Sequence, residues 1–115
     1  MDHDEDIKII NGFVGRDCER TLACNSIKLR FADKGEYIWI DPPWTLNSSS
    51  GTVMCSGEYP GDTSEFEEWS EGLSPLDHVR LTSFEYRRGC LALFFNNEHT
   101  LITVSYTHLT LPTKA

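Results

Sequence analysis

Positive charge is scarce in this 115-residue chain. Ten Lys and Arg stand against eighteen Asp and Glu, a formal charge of −8. Such a surface repels nucleic-acid phosphates and anionic lipid, so no nucleic-acid partner is expected. Long apolar runs are missing too. The acidic start Met1-Asp2-His3-Asp4-Glu5-Asp6 leads into nothing long enough for a signal peptide. No stretch approaches the roughly 20 apolar residues of a membrane helix. The expectation is a cytoplasmic protein with no membrane contact and a flexible acidic N-terminus over residues 1–9. Cysteine is thinly spread: Cys18, Cys24, Cys55 and Cys90 form no C-x-x-C pair. Without a secretory signal they read as reduced thiols, and no Cys/His pair has zinc spacing. Gly12-Phe13-Val14-Gly15 makes no convincing cofactor loop. Neither a metal nor a cofactor is expected.

The last twelve residues are read apart from the rest, although Val104, Tyr106 and Leu109 suit a continuing strand. Val104-Ser105-Tyr106-Thr107-His108-Leu109-Thr110-Leu111-Pro112-Thr113 back-translates without strain to GTC TCT TAT ACA CAT CTG ACG CTG CCG ACG. That string resembles the transposon mosaic-end adapter of shotgun DNA libraries, followed by its primer extension. The resemblance implies an environmental or draft-assembly read. On it, residues 104–115 are adapter-derived, and a single domain over residues 10–103 is truncated near Thr103. Leaving out Lys114 takes the formal charge from −8 to −9.

Strand signals dominate what remains. Ile27, Leu29 and Phe31 alternate with polar Lys28 and Arg30, the pattern of a half-buried strand. Ala32-Asp33-Lys34-Gly35-Glu36 reads as a turn and Tyr37-Ile38-Trp39-Ile40 as the next strand, stopped by Pro42-Pro43. Val14–Leu22 is expected to be the strand before them. Sixty-four positions on, Leu91, Leu93 and Phe95 repeat the parity of Ile27, Leu29 and Phe31. Thr100-Leu101-Ile102-Thr103 then stands where Tyr37-Ile38-Trp39-Ile40 stood, one residue shorter. Val79–Tyr86 precedes this second hairpin. The reading is an α+β, mainly β fold: two antiparallel three-stranded meanders in a pseudo-repeat, with one short helix between them. Asn47-Ser48-Ser49-Ser50-Gly51 and Glu58-Tyr59-Pro60-Gly61 read as loops. The helix falls within Glu65–Glu71, with Ser64 and Glu67 at capping-box spacing and Gly72 as its stop. Phe66, Trp69 and Leu73 share its inner face.

Asp41-Pro42-Pro43-Trp44 is the sharpest chemical motif. It is similar to the catalytic tetrapeptide of the amino-methyltransferases that act on adenine N6. That resemblance implies that Asp41 and a carbonyl of Pro42 accept hydrogen bonds from the target amine while Trp44 stacks on the flipped base. Such enzymes use a doubly wound sheet with a cofactor loop, whereas short meanders flank the motif here. The structural alternative, a strand end capped by Pro-Pro with Trp44 in the core, is preferred. His3, His78, His99 and His108 have no Ser or Cys partner placed beside them in sequence, and His78 and His99 are expected to face solvent. Glu67 and Glu68 are adjacent on a helix and point apart. Arg87-Arg88 is too small a basic pair for a phosphate patch.

Over Ile10–Thr103 the chain resembles a small bacterial family of domains of unknown function with immunity-protein-like members. The carrying residues are Val14, Leu29-x-Phe31, Asp33-Lys34-Gly35, Ile38-x-Ile40, Pro43-Trp44-x-Leu46, Val79, Gly89 and Leu91-x-Leu93-x-Phe95. The resemblance assigns no catalytic residue. It implies a non-catalytic binding protein, and the acidic balance suits a basic partner such as a toxin. The alternatives are a fragment of an adenine-N6 methyltransferase and an accessory domain with no ligand of its own.

Overall fold

In the computed structural model, residues 3–31, 36–61, 64–87, 90–103 and 109–110 are described. The fold is mainly β, as the alternation predicts. The strands are β1 (Asp17–Ala23), β2 (Ser26–Phe31), β3 (Glu36–Ile40), β4 (Trp44–Ser48), β5 (Gly51–Cys55), β6 (Val79–Arg87), β7 (Cys90–Phe95), β8 (Thr100–Thr103) and β9 (Leu109–Thr110). They form one sheet in the order β5-β4-β8-β7-β6-β1-β2-β3-β9. Every pairing described is antiparallel.

The strand alternation translates directly into burial. Ile27, Leu29 and Phe31 of β2 are buried, as are Leu91, Leu93 and Phe95 of β7. Their partners in register are buried as well: Leu29 lies opposite Ile38, and Leu93 opposite Leu101. These residues belong to a single core with Leu46, Leu81 and Trp44. One face of a nine-stranded sheet can line one core only if the sheet curls. The bend falls at β6. Its first residues, Val79 and Arg80, pair with β1, and the stretch from Leu81 onward pairs with β7. A register shift between Leu81 and Ser83 marks the turn-over, as β-bulges commonly do.

Three hydrogen bonds fasten the curl. The Trp44 indole N–H donates to the Asn25 carbonyl (2.8 Å), the Asn25 amide to the Ser56 carbonyl (2.9 Å), and the Trp44 backbone N–H to the Ser56 hydroxyl (3.0 Å). The first two tie the β1–β2 turn to the start of β4 and to the residue after β5, and the third joins those two to each other. That turn holds Cys24 at a φ of 55°.

Several expectations are corrected. A helix, α1 (His3–Asn11), stands where a flexible start is expected. Its end is anchored because Ile10 is buried and the buried Phe13 ring stacks on Phe31 at 4.4 Å. β1 begins at Asp17, since residues 12–15 form turns. The stretch expected as a Ser-rich loop is a hairpin, with Asn47 and Ser48 in β4, a turn at Ser49-Ser50, and Gly51 opening β5. Leu46 and Met54 supply the buried anchors of that hairpin, and local composition hides them.

The second helix, α2 (Phe66–Glu71), lies where expected, but its cap does not. Glu65 is the N-cap residue, and no side chain caps the helix, so the Ser64–Glu67 box does not form. Gly72 is not a left-handed stop either; its φ is −62°. Its lack of a side chain serves a close approach instead. A Cβ there would come 2.7 Å from the Met54 sulfur. Of the expected turns, residues 32–35 and 88–89 lie outside the described residues, as does all of 104–115 except β9, whose backbone pairs with β3.

Candidate functional site

The tetrapeptide singled out in the sequence is committed to structure. Asp41 Oδ1 accepts hydrogen bonds from the Trp39 indole (2.7 Å) and the Ser26 hydroxyl (2.5 Å). It thereby joins the end of β3 to the start of β2. Pro42 is half-buried, Pro43 is exposed, and the peptide bond between them is cis. Trp44 is 1% exposed and sits 6.0 Å from the Trp69 ring, so neither of its faces is open to a flipped base. The described sheet holds no parallel βαβ unit.

The histidines are dispersed. His78 is exposed, with Nδ1 3.3 Å from Glu19. His99 is half-buried rather than solvent-facing, because its ring and backbone fold back onto Asn97. The His3 side chain and His108 lie outside the described residues. Glu67 and Glu68 are both exposed. Arg87 lies 3.2 Å from Glu85, and Arg88 is not among the described residues. All four cysteines are unpaired. Among the described residues, no three His, Cys, Asp or Glu side chains converge as a metal site, and no helix is long and apolar enough to cross a membrane.

Two grooves remain. The smaller, about 300 Å³, is lined by Asp17, Cys18, Glu19, Arg30 and His78. Arg80 pairs with Asp17 at 3.1 Å, and His78 Nδ1 lies 3.3 Å from Glu19. The thiol in this groove is a poor nucleophile. Burial above all pushes Cys18 from its ordinary value of 9.0 up to about 12, the carboxylates of Asp17, Asp77 and Glu19 push the same way, and only a hydrogen bond from the Val79 backbone opposes. The thiolate, not the thiol, is the reactive form.

A pH prediction follows from that shift. The folded state keeps the Cys18 proton to higher pH than the unfolded state does. Its contribution to stability is complete below pH 9 and drains away as pH rises from 9 toward 12. Cys18→Ala is expected to be less stable at pH 7 and to lose less between pH 9 and pH 11 than the parent. Urea titrations of both proteins across that range check this; parallel losses would refute it.

The larger groove, about 450 Å³, is different in kind. It is lined by Glu58, Pro60, Glu65, Glu68 and Trp69. From Glu58 to Glu71 the chain carries six acids and no Lys or Arg. Trp69 joins the groove to an aromatic cluster, with its ring 5.3 Å from Tyr59 and 6.1 Å from Phe66. The Trp69 indole nitrogen is shielded from solvent and has no hydrogen-bond partner. The local backbone is well held. Arg20, with a side chain 15% exposed, forks onto Asp77 (3.0 and 3.1 Å) and donates to the Ser70 carbonyl (3.0 Å), which pins the end of α2 and the turn after it to β1. Glu58 accepts the Cys55 backbone N–H at 3.0 Å.

Sequence reasoning placed Glu65 and Glu68 in the helix and Trp69 on its inner face, but did not join them to Glu58 and Pro60. The run of acids interleaved with aromatics was the available signal. Chemically, three carboxylates around an indole suit a cation. No family model, no curated protein and no solved structure matches this chain.

Proposed function

We propose that the chain is a non-catalytic binding module for a basic protein partner, in the manner of an immunity protein that neutralises a toxin. The acidic groove of Glu58, Glu65 and Glu68 around Trp69 carries this reading. The overall charge of −8 supports it, since complementary charge speeds encounter and disfavours wrong partners. The burial of Trp44 and the engagement of Asp41 favour a binding module over a methyltransferase. The two meanders are further read as copies of one unit. Ile27 opposite Ile40 corresponds to Leu91 opposite Thr103, with the single-residue deletion between the strands.

The test uses the protein encoded next to this chain in its own genome. Expressed alone in a bacterial host, that neighbour is expected to arrest growth. Co-expression of this chain should restore growth, and the two should co-purify in a complex weakened by salt. Rescue lost in a Glu65→Lys/Glu68→Lys variant would tie it to the groove. A neighbour that is harmless and does not bind, together with methyl transfer from labelled S-adenosylmethionine to adenine, would overturn the reading.

A further inference from the structure

β5 is the last strand in the sheet order, with no neighbour on its outer side among the described residues. An edge strand presents unpaired backbone N–H and C=O groups, and proteins usually blunt such edges with charge or proline. β5, Gly51-Thr52-Val53-Met54-Cys55, has neither, and its one irregularity is a register shift that leaves Val53 without a partner on β4. It also carries Val53, 42% exposed and the one large apolar side chain exposed among the described residues. Only its end is closed, where the Cys55 N–H is taken by Glu58.

The acidic groove begins just past this edge. Glu58 lies one 3-10 turn after Cys55, and Met54 packs against Gly72 at the end of α2. An uncharged strand edge and a carboxylate-lined groove are therefore separated by a single 3-10 turn.

We propose that this edge is a strand-addition site. An extended basic segment of a protein partner pairs with β5, its alternate apolar side chain covers Val53, and an Arg or Lys beyond it enters the groove over Trp69. The inference rests on the binding-module reading and deepens it. Backbone pairing supplies affinity that is indifferent to sequence, and the groove selects for a cation. A second copy of this chain is the poorer occupant, because each copy brings the same carboxylates of Glu58, Glu65 and Glu68.

The experiment titrates two synthetic peptides into the ¹⁵N-labelled full chain and follows backbone amides by NMR. One, about eight residues long, alternates arginine with valine; the other alternates arginine with proline, which cannot join a ladder. The first is expected to shift and protect from exchange the amides of Thr52 and Val53, and to bind about tenfold tighter than the second. Val53→Lys, at an exposed position, and Glu65→Gln/Glu68→Gln should each weaken it about tenfold, with the protein's own spectrum otherwise preserved. Equal binding of both peptides, with shifts confined to the groove, would overturn strand addition while leaving cation recognition by the groove intact. No response to either peptide would overturn the inference alone if growth rescue by the chain persists. Protection of Thr52 and Val53 that grows with protein concentration in the absence of peptide would also overturn it, by naming a second copy as the occupant.

Discussion

Trp44→Ala is expected to lower the unfolding free energy by about 3–5 kcal/mol, the range for removing a large buried aromatic side chain. The ring is 1% exposed, so its removal opens a cavity among Leu46, Trp69 and their neighbours. The loss is not only apolar. The indole N–H holds the Asn25 carbonyl, and Asn25 in turn holds Ser56, so the substitution also loosens the fastening between the β1–β2 turn and the β4–β5 hairpin. Trp44→Phe keeps a ring but not the donor, and should fall between parent and Ala. Denaturant titration monitored by far-UV circular dichroism measures all three. A midpoint for Trp44→Ala equal to that of the parent would mean that the motif is not committed to the core and would return it to the list of possible sites.

Leu29→Ala is expected to cost about 2–5 kcal/mol, since the side chain is fully buried at the centre of β2 opposite Ile38. The control is its neighbour on the other face. Lys28 is only partly buried and lies over the Tyr37 ring at 4.5 Å. Lys28→Ala should cost no more than about 1 kcal/mol, the scale of an exposed cation–π contact. Because side chains alternate strictly along a strand, a reversed result would show that the register of β2 is slipped by one residue.

These two residues show how unevenly the molecule could be read. Leu29, Phe31, Leu93 and Phe95 announce themselves by a period of two, and each is buried as its parity requires. The helix near Phe66 was visible in its acids and in the spacing of Phe66, Trp69 and Leu73. The hairpin of β4 and β5 was not. Asn47-Ser48-Ser49-Ser50-Gly51 has turn composition from end to end, and the strands hold their shape through pairing of β4 with β8, pairing of β5 with β4, and burial of Leu46 and Met54. α1 is hidden for a related reason: behind its acidic start, the helix packs against β6, and Phe13 just after it stacks on Phe31 of β2. Gly72 was recognised as important for the wrong cause, because a close approach to Met54 cannot be seen from sequence.

By itself the sequence determined the acidic balance, the paucity of long apolar runs, the β-rich class, and the inward face of β2 and β7. These are local or additive properties, set by composition and by the two-residue period of a strand. Tertiary structure decided that Trp44 is 1% exposed, that Asp41 Oδ1 accepts from Ser26 and Trp39, and that Cys18 is buried. It also decided that Glu58 and Pro60 share a groove with Glu65, Glu68 and Trp69, and that β5 stands at the end of the strand order. Each of those outcomes depends on which distant strands the curl of the sheet brings together, and that curl is a property of the whole core rather than of any segment within it.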